Sequence, residues 1–185
     1  MPKIVDHDAR RIEILEGCFS LFARHGYAKL SMRQLASSLG VTTGTIYHYF
    51  SSKQQIFEES FSLLQQRDIQ LVTSQFSSKT SQIERLQILR EFVAVHVERL
   101  ADVLKISLEY QRVHDSDGNA PTVKRYIEGY KKALQEHVKL PDVLNEAMLS
   151  LIFGVLVQYT FNPDFDVKTQ LGLGFNVIQP LLLTE

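Results

Sequence analysis

The sequence predicts an all-α chain of about nine helices, an N-terminal three-helix helix-turn-helix head joined to a larger C-terminal helical bundle body. Three observations predict it. Apolar residues recur at helical spacing along most of the 185 residues. Ser, Thr and Asp caps and single glycines punctuate those stretches. Alternating apolar–polar runs are too short for a sheet. With 44% hydrophobic residues, the chain can bury a small head core and a larger body core.

The elements follow in order. Ile12, Leu15, Phe19 and Phe22 mark a first helix, opened by Asp6 or Asp8 and ended by Gly26. Ser31 with Gln34 makes a capping box for a second, stopped at Gly40. A third runs from Thr43 to Tyr49 behind a Thr42 cap. Ser51 with Gln54 opens a long fourth helix, from about 53 to 75, with Ile56, Phe57, Phe61, Leu64 and Leu71 on its apolar side. The Ser-rich stretch 74–81 breaks it. Leu86, Leu89, Val93, Val97 and Leu100 predict a fifth helix, and a sixth is expected over 102–114. The run Asp115-Ser-Asp-Gly-Asn119 is a loop by composition. A polar helix near 121–139, a break at Pro141, an apolar helix near 142–161 and a last helix near 166–183 complete the chain. The head is expected over 1–52 and the body over 53–185, with the fourth helix linking them.

Formal net charge is −1, but it is unevenly spread. Up to Lys53, seven basic residues face four acidic ones; the remainder holds 13 basic and 17 acidic. A modestly basic head on an acidic body fits a protein that touches phosphates at one end. Cys18 is the single cysteine, which excludes an intrachain disulfide and points to a small core residue. The N-terminus has no hydrophobic signal-peptide core, and the charge-free stretches 147–163 and 169–184 fall short of a membrane span. A soluble, cytoplasmic protein without membrane contact is the expectation.

Enzyme motifs fail on spacing. The 115–119 run has Gly118 fourth rather than sixth, and Tyr126 where a calcium loop needs a bidentate Glu. No Glu precedes a His by three residues, as di-iron bundles require. There is no phosphate-cradling glycine loop and no nucleophile elbow. His96 and His114 read as packed or surface histidines. The expectation is a non-enzyme with no metal and no cofactor.

The second and third helices carry the informative chemistry. Leu35, Ala36, Leu39, Val41, Ile46 and Phe50 are spaced to pack both against the first helix. That leaves Thr42, Thr43, Gly44 and Thr45 outward at the start of the third. Hydroxyls there can bond phosphates or base edges, threonine methyls can meet thymine methyls, and Gly44 lets backbone approach DNA. Tyr47, His48 and Tyr49 are amphipathic groups suited to the sugar–phosphate wall. Lys53, at the start of the fourth helix, is placed to grip a phosphate together with free backbone amides. The plainer alternative makes the tyrosines core and the threonines caps, which leaves the outward face of the helix unexplained.

The stretch from Arg10 to about Ser60 resembles the DNA-binding domain of TetR/AcrR-type transcriptional regulators. The resemblance rests above all on Gly40-Val-Thr-Thr-Gly-Thr-Ile-Tyr-His-Tyr-Phe50 followed by Ser52-Lys53, and on Phe22-Ala-Arg-His-Gly-Tyr27 and Ser31. It implies a homodimer on a palindromic double-stranded operator, usually a repressor, released by a small molecule bound in the body. Carried over by position, Ser31, Thr42, Tyr47 and Lys53 would contact phosphates, and Arg33, Thr43, Thr45 and His48 would face bases. Thr43 departs from the basic residue many relatives carry there.

In the body, the last two helices are apolar around most of their circumference, which suits pairing with a second copy. Met148, Ile152, Val155, Tyr159, Leu171, Phe175 and Ile178 are the expected dimer residues. A largely apolar effector is expected among Phe61, Phe92, His96, Leu104, Ser107, Tyr110, Tyr126 and Tyr130. Two rivals differ in function: an architectural DNA-binding protein of the same fold without an effector, and a helical enzyme or adaptor whose head no longer binds DNA.

Overall fold

The computed structural model describes residues 6–114 and 121–182. Among them are nine α-helices and no strand: α1 His7–His25, α2 Met32–Ser38, α3 Thr43–Tyr49, α4 Lys53–Thr73, α5 Gln82–Val95, α6 Val97–His114, α7 Pro121–Ala133, α8 Asp142–Phe161 and α9 Val167–Ile178. A π turn, Leu134–Val138, continues α7, and a 3-10 turn, Gln179–Leu182, follows α9.

Local chemistry sets most boundaries. The Asp6 carboxylate accepts from the amides of Asp8 and Ala9, which settles the N-cap of α1. Ser31 and Gln34 form the expected reciprocal box on α2, and the Thr42 hydroxyl caps α3. The cap of α4 sits one residue later than expected: the Ser52 hydroxyl accepts from the Gln55 amide, while the Gln55 carboxamide receives both donors of Ser51. The division between the fifth and sixth helices also moves. Helix α5 stops at His96 (φ −105°, ψ 16°), so Val97 and Leu100 belong to α6. No Gly or Pro announces that break. The loop expected at 115–119 lies outside the described residues.

Two compact units result. One comprises Met1–Leu64 and Ile106–Thr122, the other Gln65–Lys105 and Val123–Glu185. In the first unit, Ile14, Leu15, Cys18, Phe19 and Phe22 of α1 enter a core with Leu35, Ile46, Phe50, Ile56, Phe57, Phe61 and Tyr110. Phe57 and Tyr110 stack at 4.0 Å, and Tyr27 stands edge-on to both. Burial pushes the Tyr27 hydroxyl and the Cys18 thiol each up to about 12. Cys18 is thus a protonated core residue. Ile12 turns out of that core, 37% exposed.

In the second unit, α9 packs on both α5 and α8. Leu86, Leu89, Phe92, Val93, Met148, Leu149, Val155, Leu156, Leu171, Phe175 and Ile178 form one cluster. Leu71 of α4, expected inside, is half exposed. By length and composition alone, α8, with 20 residues and mean hydropathy 1.4 in its apolar window, is apolar enough to cross a membrane. Its composition has a local cause. One side packs Met148, Leu149, Val155 and Leu156 inward, while Val143, Val157 and Phe161 stay exposed on the other.

Candidate nucleic-acid interface

The turn between α2 and α3 is short and closed by backbone. Gly40 takes φ +66°, a conformation that L side chains rarely adopt, and the Val41 amide donates to the Ala36 carbonyl. Leu35, Ala36, Ile46 and Phe50 are buried, and the two short helices pack on each other. What α3 cannot bury it presents. Thr42, Gly44, Tyr47 and His48 are exposed, and Thr43, Thr45 and Tyr49 are half-buried. Ser31 and Arg33 are exposed on α2. A Cβ on Gly44 would meet only the Thr42 hydroxyl, at 3.7 Å, so nothing inside the chain demands glycine there. The Thr42 hydroxyl serves the Thr45 amide (3.0 Å) and pairs with the Thr45 hydroxyl (2.8 Å), which locks both side chains in one arrangement.

Three polar side chains that hold this surface bond to backbone. Lys53 is half-buried, and its ammonium donates to the carbonyls of Tyr27 (2.9 Å) and Leu30 (2.7 Å) while lying 4.1 Å from the Tyr27 ring centroid. Burial lowers its pKa, and Glu109 opposes that by attraction. The side chain expected to reach outward for a phosphate is therefore turned inward, where two carbonyls of the α1–α2 connection lie within its reach. Arg11 donates to the Tyr49 carbonyl at the end of α3 (2.6 Å) and grips Glu59 of α4 with both carboxylate oxygens in reach (2.5 and 2.7 Å). Glu109 accepts the amides of Tyr27 and Ala28, each at 3.0 Å, and a Cβ at Gly26 (φ +84°) would collide with that carboxylate. Neither Arg11 nor Glu109 was readable as a site residue. Their partners lie 38 to 82 residues away, and only an unspent charge at a helical position hints at them.

The residues expected to line an effector site divide between the units. Phe61, Ser107 and Tyr110 are buried in the first, where the Tyr110 hydroxyl donates to Glu58. Phe92, His96, Leu104, Tyr126 and Tyr130 belong to the second. There the buried Asp68 carboxylate receives two Arg99 donors (2.6 and 3.2 Å) and the Tyr130 hydroxyl (2.8 Å), and the Tyr126 hydroxyl pairs with Tyr130 (2.9 Å). Burial raises both tyrosine pKa values well above their ordinary range. Asn145 is fully buried on α8; its amide donates to the Lys131 carbonyl, and its carbonyl oxygen has no partner among the described residues. No described group of three or more His, Cys, Asp or Glu could hold a metal ion.

The expected dimer residues are placed differently from the expectation. Met148, Val155, Leu171, Phe175 and Ile178 are buried within this chain's own core, and Ile152 and Tyr159 are half-buried. Helical periodicity found the apolar positions but could not say which of two apolar sides faces inward. The outward side carries Val157 and Phe161 of α8 and Leu173 and Val177 of α9, between 41% and 86% exposed.

A buried scaffold that presents one short polar helix behind a glycine turn, in an otherwise helical chain, defines a helix-turn-helix nucleic-acid-binding protein. Comparison with known proteins agrees. Residues 14–60 match the family model described as bacterial regulatory proteins, tetR family. The HTH-type transcriptional repressor KstR2 of Mycobacterium tuberculosis is 30% identical over 168 residues, 86% of this chain and 73% of that protein. The chain belongs to the TetR family of transcription regulators. Other relatives match over shorter stretches: the repressor AcnR of Corynebacterium diphtheriae is 46% identical over 48 residues, 26% of this chain, and the match spans about a quarter of that relative's length. The fold is shared with the fatty acid degradation regulator FadR from Bacillus halodurans, with a TM-score of 0.72, 20% identity and coverage of 91% of this chain and 94% of that one. It is shared also with SmeT, the repressor of the Stenotrophomonas maltophilia multidrug efflux pump SmeDEF, with a TM-score of 0.64, 19% identity and coverage of 92% and 89%.

Proposed function

We propose that this chain is a homodimeric repressor that binds a palindromic operator in the cytoplasm and leaves it when a small molecule enters the body. The observation that carries the reading is the outward face of α3, where two threonine hydroxyls held in one arrangement, a bare glycine backbone and the exposed rings of Tyr47 and His48 sit on a buried support. Thr43, Thr45, His48 and Arg33 read base edges, and Ser31, Thr42, Tyr47 and the α4 start hold phosphates. The lysine helps indirectly, by holding the 27–30 connection.

A second copy covers Val157, Phe161, Leu173 and Val177, since two adjacent helices exposing large apolar groups at i, i+4 spacing suit an isologous four-helix contact. An effector is supported by the buried, unpartnered Asn145 oxygen, which favours a ligand with a hydrogen-bond donor amid apolar surface. Titrating labelled duplex DNA against the protein at several salt concentrations tests the DNA part. Affinity should fall log-linearly with salt. Salt-independent affinity, or none, overturns the reading.

A further inference from the structure

We propose that His7, the first residue of α1, is a proton-dependent contact to the DNA backbone, acting as a unit with Tyr49 and His48 of α3. This inference rests on the DNA-binding reading above and adds to it a residue outside the helix-turn-helix. The His7 ring lies 5.9 Å from that of His48 and 6.0 Å from that of Tyr49, and His48 stands edge-on to Tyr49 at 5.1 Å. His7 Nδ1 is 3.3 Å from the Tyr49 hydroxyl. His7 and His48 are exposed and Tyr49 is half-buried, so the cluster forms one open polar edge beside the outward face of α3. A helix lying in a major groove has phosphate walls at its edges, and this edge carries two imidazoles.

The chemistry depends on the proton. When His7 is neutral with Nδ1 bare, the Tyr49 hydroxyl donates inward to it, and the outward surface offers only the Nε2 hydrogen. When His7 is protonated, Nδ1 donates to the Tyr49 oxygen instead. The phenol hydrogen is then free to turn out, so the same cluster presents a cationic Nε2 donor and a phenol donor to phosphate oxygens. No bond forms or breaks beyond the proton taken from solvent.

A phosphate oxygen at this edge favours the charged ring, so binding takes up protons and acidification strengthens it. The other charged groups near this edge carry both signs. Asp6 caps α1 and Asp8 lies in its first turn; Arg10 pairs with Glu13, and Arg11 holds the Tyr49 carbonyl and Glu59 of α4.

A phosphate contact is independent of sequence, so an arbitrary duplex of about 30 base pairs serves as probe. Its affinity for the full-length protein is measured at pH 6 and pH 8 at fixed salt, for the native chain and for His7→Gln, with His137→Gln as a distant histidine control. The native protein should bind about tenfold tighter at pH 6. His7→Gln, which keeps a hydrogen-bonding partner for Tyr49 but cannot charge, should match it at pH 8 and lose most of the gain at pH 6. His137→Gln should behave as native. Equal gains for His7→Gln and the native chain overturn the proposal and leave the DNA reading intact. An equal loss in His137→Gln overturns it as a bulk charge effect. No DNA binding by the native chain under any condition overturns both.

Discussion

Two polar networks, one in each compact unit, are built differently. In the first, Lys53, Arg11 and Glu109 bond to carbonyls and amides of the main chain, pinning the 26–30 connection and the end of α3. In the second, Asp68, Arg99, Tyr130 and Tyr126 bond to one another through side chains. Bonds to backbone fix where a segment lies. Bonds among side chains can exchange partners by rotamer change alone. The first network fixes the course of the main chain beneath α3, whereas the second ties side chains of α4, α6 and α7 to one another.

The sharpest break of this contrast is in the aromatic core of the first unit. Phe57 is fully buried against Phe22, Tyr27, Phe61 and Tyr110. Phe57→Ala should cost about 4 kcal/mol in urea unfolding followed by circular dichroism, and should abolish DNA binding with it. In the body, Arg99→Ala strands the buried Asp68 charge and should cost about 3 kcal/mol. Replacing both partners, as Asp68→Leu with Arg99→Met, should recover most of that loss, since side-chain pairing carries no backbone geometry there.

Lys53→Met separates position from charge. It removes two charge-assisted bonds to carbonyls and should cost about 2 kcal/mol of stability. The salt slope of DNA binding should stay nearly unchanged, because the ammonium faces inward; a slope flattened by one phosphate's worth would return the lysine to the DNA surface.

The smallest effect lies at the surface of α5. Bonds from Ser81 hold the Glu84 carboxyl below its ordinary value of 4.5. A depressed carboxylate stabilises the fold above its unfolded pKa, and that contribution fades as pH falls through the folded value. Glu84→Gln should therefore lower the thermal midpoint slightly at neutral pH and flatten the acid limb, the two proteins converging as pH falls below about 4.5.

Much of the head was legible because its signals are local. The Ser31–Gln34 box, the Thr42 cap and Gly40 each act over a few residues, so spacing alone located α2, α3 and the turn between them. The one-residue shift of the α4 cap shows the limit of such reading, since Ser51 and Ser52 are both capable and only geometry chooses. The inward turn of Lys53 was not legible, because its partners Tyr27 and Leu30 are unremarkable as letters. In the body the failure had another source. Both sides of α8 and α9 are apolar, so periodicity marked Met148 and Leu171 as readily as Phe161 and Val177, and only packing told core from surface. The break at His96 left no mark in composition at all.

The proposal of a two-headed reader is tested most directly by selecting bound sequences from a pool of random duplex DNA with the purified full-length protein. The account predicts enrichment of an inverted repeat with two matching half-sites, and a changed half-site when Thr45→Val is used instead. Enrichment of an asymmetric site, or of none, would contradict it.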